Sequence, residues 1–219
     1  MRDRYIKQLK TVHDDLLRMG SRVEHALADA MRALETWDTA LADHVITGDR
    51  EIDLARTEIE EAVQHLLATQ QPILASDLRT LNATVAIAGE LERAGDYAKG
   101  IGKRVGRCLR APELIETPGQ LHRLGEYAQQ MLNAALDSFV RLDVNLARTL
   151  AAEDERVDEL EDQIAADLLN VARTNPNTLD CVINMLDVAH TLERVADRAT
   201  NIAERVVFIA TNQTETLNS

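Results

Sequence analysis

Leu91-Glu92-Arg93-Ala94-Gly95-Asp96-Tyr97-Ala98-Lys99-Gly100-Ile101-Gly102-Lys103-Arg104-Val105 recurs about a hundred residues later as Leu192-Glu193-Arg194-Val195-Ala196-Asp197-Arg198-Ala199-Thr200-Asn201-Ile202-Ala203-Glu204-Arg205-Val206. Leu, Glu, Arg, Asp, Ala, Ile, Arg and Val return in register, so the chain is read first as an internal duplication. Ile87, Leu91, Ala94, Ala98, Ile101 and Val105 step by four and three residues, as do Val188, Leu192, Val195, Ala199, Ile202, Val206 and Ile209. Each set is an apolar helical stripe that must be buried against other helices. In each copy a Glu and an Asp stand four apart, Glu92 with Asp96 and Glu193 with Asp197. Helical spacing puts both carboxylates on one face, one turn apart and about 100° off the stripe, at the boundary of core and water.

Like charges at that spacing cost roughly 0.2–0.5 kcal/mol per pair, so their repetition calls for a positive group above them. One candidate is an arginine, Arg93 over Asp96 and Arg194 over Asp197. The other is a metal ion, because hard cations prefer several carboxylate oxygens. A second acidic pair stands earlier in each copy, Asp49 with Asp53 and Asp154 with Asp158. Asp49 follows Gly48, so Asp49 and Asp154 are expected at helix starts, where acids cap and favour the dipole. Asp53 and Asp158 lie a turn further in. If the middle and last helices of each unit are antiparallel, Asp53 approaches Asp96 and Asp158 approaches Asp197, closing a ring of carboxylates.

The breaks between periodic stretches predict helices over about Arg4–Thr47, Asp49–Thr69, Ile73–Arg107, Gly119–Leu150, Asp154–Thr174 and a sixth ending near Thr211. Turns are expected at residues 70–72 and 175–178, where Pro72 and Pro176 push the preceding residue out of the helical region. Pro112 and Pro118 bound a linker, and a polar tail follows residue 211. The second and fifth helices align at an offset of 105 residues, the third and sixth at 101. The fold is therefore expected to be all-α, two tandem three-helix bundles related by an internal pseudo-twofold repeat, with domains at 1–110 and 119–212.

Composition agrees: the 219 residues are 45% hydrophobic but only 3% aromatic, rich in strong helix formers, and no strand signal is present. The net charge of −13 argues against nucleic acid as the main partner and suits cations or basic patches on proteins. Cys108 and Cys181 are far apart in sequence and match no paired-ligand spacing, so a reducing cytosol fits them best. No run of about 18 apolar residues offers a membrane span, and no apolar core follows Met1 to make a signal peptide.

Asp77-Leu78-Arg79 after Pro72, the two Leu-Glu-Arg motifs with Asp96 and Asp197, Asn201-Ile202-Ala203-Glu204, Met19-Gly20, and Val45-Ile46 leading to Asp49 and Ile52-Asp53 together resemble the PhoU family. The resemblance runs from about Tyr5 to Thr211. It implies a pair of three-helix bundles, dimeric and cytoplasmic, that regulates bacterial phosphate uptake and represses the phosphate-starvation regulon when phosphate is plentiful. Implied partners are the ATPase subunit of the phosphate transporter and the sensor histidine kinase of the phosphate two-component system. It also implies metal ions, iron or zinc in multinuclear clusters, or Mn or Mg, at an E/D-x-x-x-D motif in each bundle. That motif falls on Glu92 and Asp96 and on Glu193 and Asp197, with Asp49, Asp53, Asp154 and Asp158 as the matching acids of the middle helices. Gly100 stands where the second copy has Asn201, and Ala196 where the first has Gly95, so the two sites are expected to differ.

Two rival classes are set against this. A carboxylate-bridged di-iron enzyme wants Glu-x-x-His pairs, and none of the six histidines lies three residues after a Glu. His190, three before Glu193, could flank a site. A helical adaptor without metal is the other rival. No nucleophile elbow, P-loop or basic pocket for free phosphate is present, so no enzyme activity is expected.

Overall fold

Two aspartates set the helix boundaries. Asp38 and Asp143 each leave the helical region and turn their side chains onto following amides, Asp38 accepting from Leu41 N at 3.0 Å and Asp143 from Asn145 N and Leu146 N at 3.0 Å. The residues before them, Trp37 and Leu142, take left-handed φ values of 55° and 50°. The structure, a computed structural model, describes residues 2–70 and 72–217. Among these residues it contains α1 (Arg2–Thr36), α2 (Thr39–Thr69), α3 (Ala75–Cys108), α4 (Gly119–Arg141), α5 (Val144–Thr174) and α6 (Leu179–Thr211), with a 3₁₀ turn at Pro176–Thr178 before α6. No strand occurs among the described residues.

The all-α expectation holds, and two of its boundaries are corrected. The expected break at Gly48-Asp49 is continuous α2, and the expected break before Asp154 is continuous α5. The real turns lie about ten residues earlier, at Trp37-Asp38 and Leu142-Asp143. A mid-helix glycine costs about 1 kcal/mol. Burying Ala42, Val45, Ile52 and Ala55 on the same face of α2 outweighs it. Of the turn expected at 70–72, residue 71 lies outside the described residues, as do Met1 and the last two residues of the tail.

Within each repeat the three helices pack on one another: α1, α2 and α3 in the first, α4, α5 and α6 in the second. The repeats are joined by two further contacts, α3 on α6 and α1 on α4. The buried apolar side chains form one connected core through all six helices. The α1–α4 contact shows the duplication in its packing. A Cβ on Gly20 would stand 2.6 Å from Leu136 Cδ1, and one on Gly125 would stand 3.0 Å from Met31 Cε. Gly20 and Gly125, and Met31 and Leu136, are each 105 residues apart. Each helix thus offers a glycine notch to the other's large side chain, at a distance a Cβ would allow only if that side chain shifted. The first and fourth helices therefore belong to the same duplication as the second and fifth.

The α3–α6 seam is antiparallel, since its contacts climb one helix as they descend the other. Glu90 meets Arg198 at 3.1 Å and Asn201 at 3.2 Å. Tyr97 lies under the Arg194 guanidinium, 4.6 Å from its ring centroid. Arg104 pairs with Asp187, and Cys108 Sγ reaches Cys181 O at 3.8 Å.

Candidate functional site

The eight acids singled out in the sequence fall into two sets, one per repeat, on the faces where α2 meets α3 and α5 meets α6. Asp49 and Asp154 sit in mid-helix, 4% and 2% exposed. They are not helix caps; Asp38 and Asp143 are. Longer α2 and α5 carry both aspartates into the packed interface instead of leaving them at its edge.

In the first repeat two protein cations stand among the acids. Lys99 Nζ lies 2.5 Å from Asp49 Oδ2 on α2 and 3.3 Å from Asp96 Oδ1 on its own helix. Arg56 Nη1 lies 3.4 Å from Glu92 Oε1, and its Nε donates to Glu60 at 2.9 Å. Burial pushes the Glu92 carboxyl above its ordinary range; Arg56 opposes this, and the nearby charges of Asp96 and Asp53 add to it. The hydrogen bond to Asp49 raises the Lys99 ammonium in turn. Asp53 and Asp96 both lie near enough to Glu92 for their charges to act on it. The arginine expected over Asp96 is not the one that acts: Arg93 turns to Glu90, at 3.5 Å.

In the second repeat the same positions carry other residues. Lys99 aligns with Thr200 and Arg56 with Glu161. The Thr200 hydroxyl donates back to Asp197 O at 2.8 Å, within its own helix. Burial raises the Glu193 carboxyl, with Asp197 pushing it further up, His190 pulling it down, and Asp158 and Glu161 raising it again. Glu161 is raised by burial, lowered by His190, and raised by Asp162 and Asp158. His190 Nδ1 stands 3.4 Å from Glu193 Oε2, an oxygen closed off from solvent with no hydrogen bond of its own. Arg198 reaches Asp197 at 3.4 Å while holding Glu90 across the seam. His190 thus does flank the acids, as its place before Glu193 allowed.

Among the described residues no three histidine, cysteine or carboxylate side chains converge into a ready-made metal site. Lys99, Arg56 and Glu161 were not singled out in the sequence, although Lys99 lies three residues after Asp96 and Arg56 three after Asp53, a spacing that places cations over acids. The two cysteines, distant in sequence, meet at the end of the α3–α6 seam, both fully buried. Their shared hydrogen bond, and then burial, push the Cys108 thiol up.

A family model described as the PhoU domain matches twice, over residues 16–105 and 121–206. The chain is 35% identical to the phosphate-specific transport system accessory protein PhoU homolog of Clostridium acetobutylicum, across 96% of this chain and 95% of that one. It is 33% identical to the phosphate-specific transport system accessory protein PhoU of Escherichia coli K12, across 94% and 85%. The crystal structure of PhoU from Pseudomonas aeruginosa superposes with a TM-score of 0.90 at 32% identity, covering 95% of this chain and all of that one. The phosphate transport system regulatory protein PhoU from Streptococcus pneumoniae superposes at 0.88 with 27% identity, covering 96% and 99%.

Proposed function

The chain belongs to the PhoU family, and on that premise we propose that it is a non-enzymatic accessory protein of a bacterial phosphate transport system. In this reading it works in the cytoplasm as a homodimer. It restrains phosphate uptake and the phosphate-starvation response while phosphate is plentiful. It does so as an adaptor between the ATPase subunit of the phosphate ABC transporter and the phosphate-sensing histidine kinase. The observation that carries the reading is the end-to-end match, in both directions, to proteins named as phosphate transport accessory and regulatory proteins. Among the described residues no helix is long and apolar enough to cross a membrane. The net charge of −13 favours basic patches on those partners.

Metal ions enter this reading at the second repeat. Asp158, Glu161, Glu193 and Asp197 offer a carboxylate set suited to Mg or Mn, with His190 beside them for iron or zinc. A bound cation would neutralise carboxyls that otherwise raise one another. The first repeat does not fit a metal in the same way, because Lys99 and Arg56 already stand over its acids.

Affinity capture of the tagged chain from phosphate-replete cells tests the adaptor reading. Recovery of the transporter ATPase subunit and the sensor kinase is expected, and capture of neither overturns it. Elemental analysis of the purified protein tests the metal reading. Metal content that falls to zero with Glu193→Gln and Asp197→Asn is expected; unchanged content refutes it.

A further inference from the structure

We propose that the first repeat takes no metal ion because Lys99 is its resident cation. The inference deepens the metal reading, which it restricts to the second repeat.

The ammonium bridges two helices, with Asp49 on α2 and Asp96 on α3, and so occupies the point between carboxylates where a shared cation would stand. Glu92 is answered separately by Arg56. An incoming ion would have to displace a tethered ammonium from an aspartate that is 4% exposed. It would also have to leave that ammonium near its own charge. Both terms oppose binding.

The second repeat carries other residues at both of those positions. Four carboxylates, Asp49, Asp53, Glu92 and Asp96, meet Lys99 and Arg56 in the first repeat. In the second, Asp158, Glu161 and Asp197 lie near Glu193, and Arg198 holds both Asp197 and Glu90 across the seam. Two substitutions therefore divide the twin acid sets: lysine against threonine at 99 and 200, and arginine against glutamate at 56 and 161. Lys99 and Arg56 offset two of the four negative charges of the first set from within, and the residues aligned with them in the second repeat are not cations.

Mn²⁺ titrated into chelator-stripped, full-length protein tests this, with bound ions counted by electron paramagnetic resonance of the free metal. Glu92→Gln with Asp96→Asn is expected to bind as many ions as the unaltered chain. Lys99→Thr, which installs the residue of the second repeat, is expected to bind one more. An ion lost with Glu92→Gln and Asp96→Asn overturns the proposal, as does a folded Lys99→Thr chain that gains none. Lys99→Gln keeps more of the side-chain volume and replaces Lys99→Thr if circular dichroism shows that variant unfolded. If the unaltered chain binds no Mn²⁺, the metal reading of the second repeat fails. The gain at Lys99→Thr still decides the role of the lysine.

Discussion

The two repeats share a backbone and differ in how they balance it. Trp37-Asp38 and Leu142-Asp143 make the same left-handed turn and cap, and Gly20 and Gly125 cut the same notch. Position 95 and its facing residue show a different kind of exchange. A Cβ on Gly95 would stand 2.9 Å from Ile52 Cδ1, whereas the aligned residues of the second repeat are Ala196 and Val157, one carbon more and one fewer. Volume is conserved across the pair while each residue changes. Charge is not conserved: the first repeat carries Lys99 and Arg56 where the second carries Thr200 and Glu161. Duplication has held the features that set chain direction and packing density, and has let the charge of the acid set diverge.

The largest test of that contrast is removal of the lysine. Lys99→Met leaves Asp49 buried beside other carboxylates, and a stability loss of about 3 kcal/mol is expected in urea unfolding with chelator present. Thr200→Val at the aligned position loses one intrahelical hydrogen bond, and about 1 kcal/mol or less is expected. Equal losses would end the idea that the lysine is special.

Next comes volume. Gly95→Ala alone is expected to cost about 1–2 kcal/mol, because the clash with Ile52 exceeds the gain in helix propensity. Adding Ile52→Val should recover that loss, since it reproduces the pair found at 196 and 157. A harmless single variant would show that α2 and α3 yield more easily than the 2.9 Å approach implies.

Smaller effects should follow from exchanging the second charged position. Glu161→Arg is expected to stabilise metal-free protein by about 0.5–1 kcal/mol and Arg56→Glu to destabilise it by a similar amount. The same sign at both positions would remove the electrostatic contrast.

The smallest expected effect is a pH dependence at the α1–α4 contact. His122 on α4 pairs with Glu35 on α1, and that hydrogen bond holds the imidazole above its ordinary 6.5, with Glu126 adding to it. A raised folded-state value means the contribution is fully present below pH 6.5 and disappears as pH rises through the higher folded value. His122 is 51% exposed, so His122→Gln should cost under about 0.5 kcal/mol at pH 6 and nothing at pH 9. The corresponding positions at the other end of the contact hold Leu17 and Val140, so no matching titration is expected there.

The helical class and the duplication were legible because they are written in period and in repetition. Apolar steps of three and four survive any substitution that keeps a face buried. The first turn of each repeat was misplaced because Gly48 looks like a break, whereas Trp37 and Leu142 do not. Non-glycine residues in the left-handed region leave no sign in the sequence, and only the caps at Asp38 and Asp143 hint at them. The acids were found without their cations for a similar reason. Arg93 adjoins the motif in sequence, but its side chain leads to Glu90, and the choice between that arginine and Lys99 is made by the docking of α2, a tertiary fact.

Cys108 and Cys181 sit where α3 ends and α6 begins, each fully buried against the other repeat. Neither sulfur meets a reagent in solution unless that end of the molecule opens, at the seam or at the segment around Ile115 that lies against Cys181. Alkylation by a small maleimide therefore times the opening of that end. Its rate, followed with and without an added partner, turns two silent side chains into a clock for whether docking clamps that end shut or pries it open.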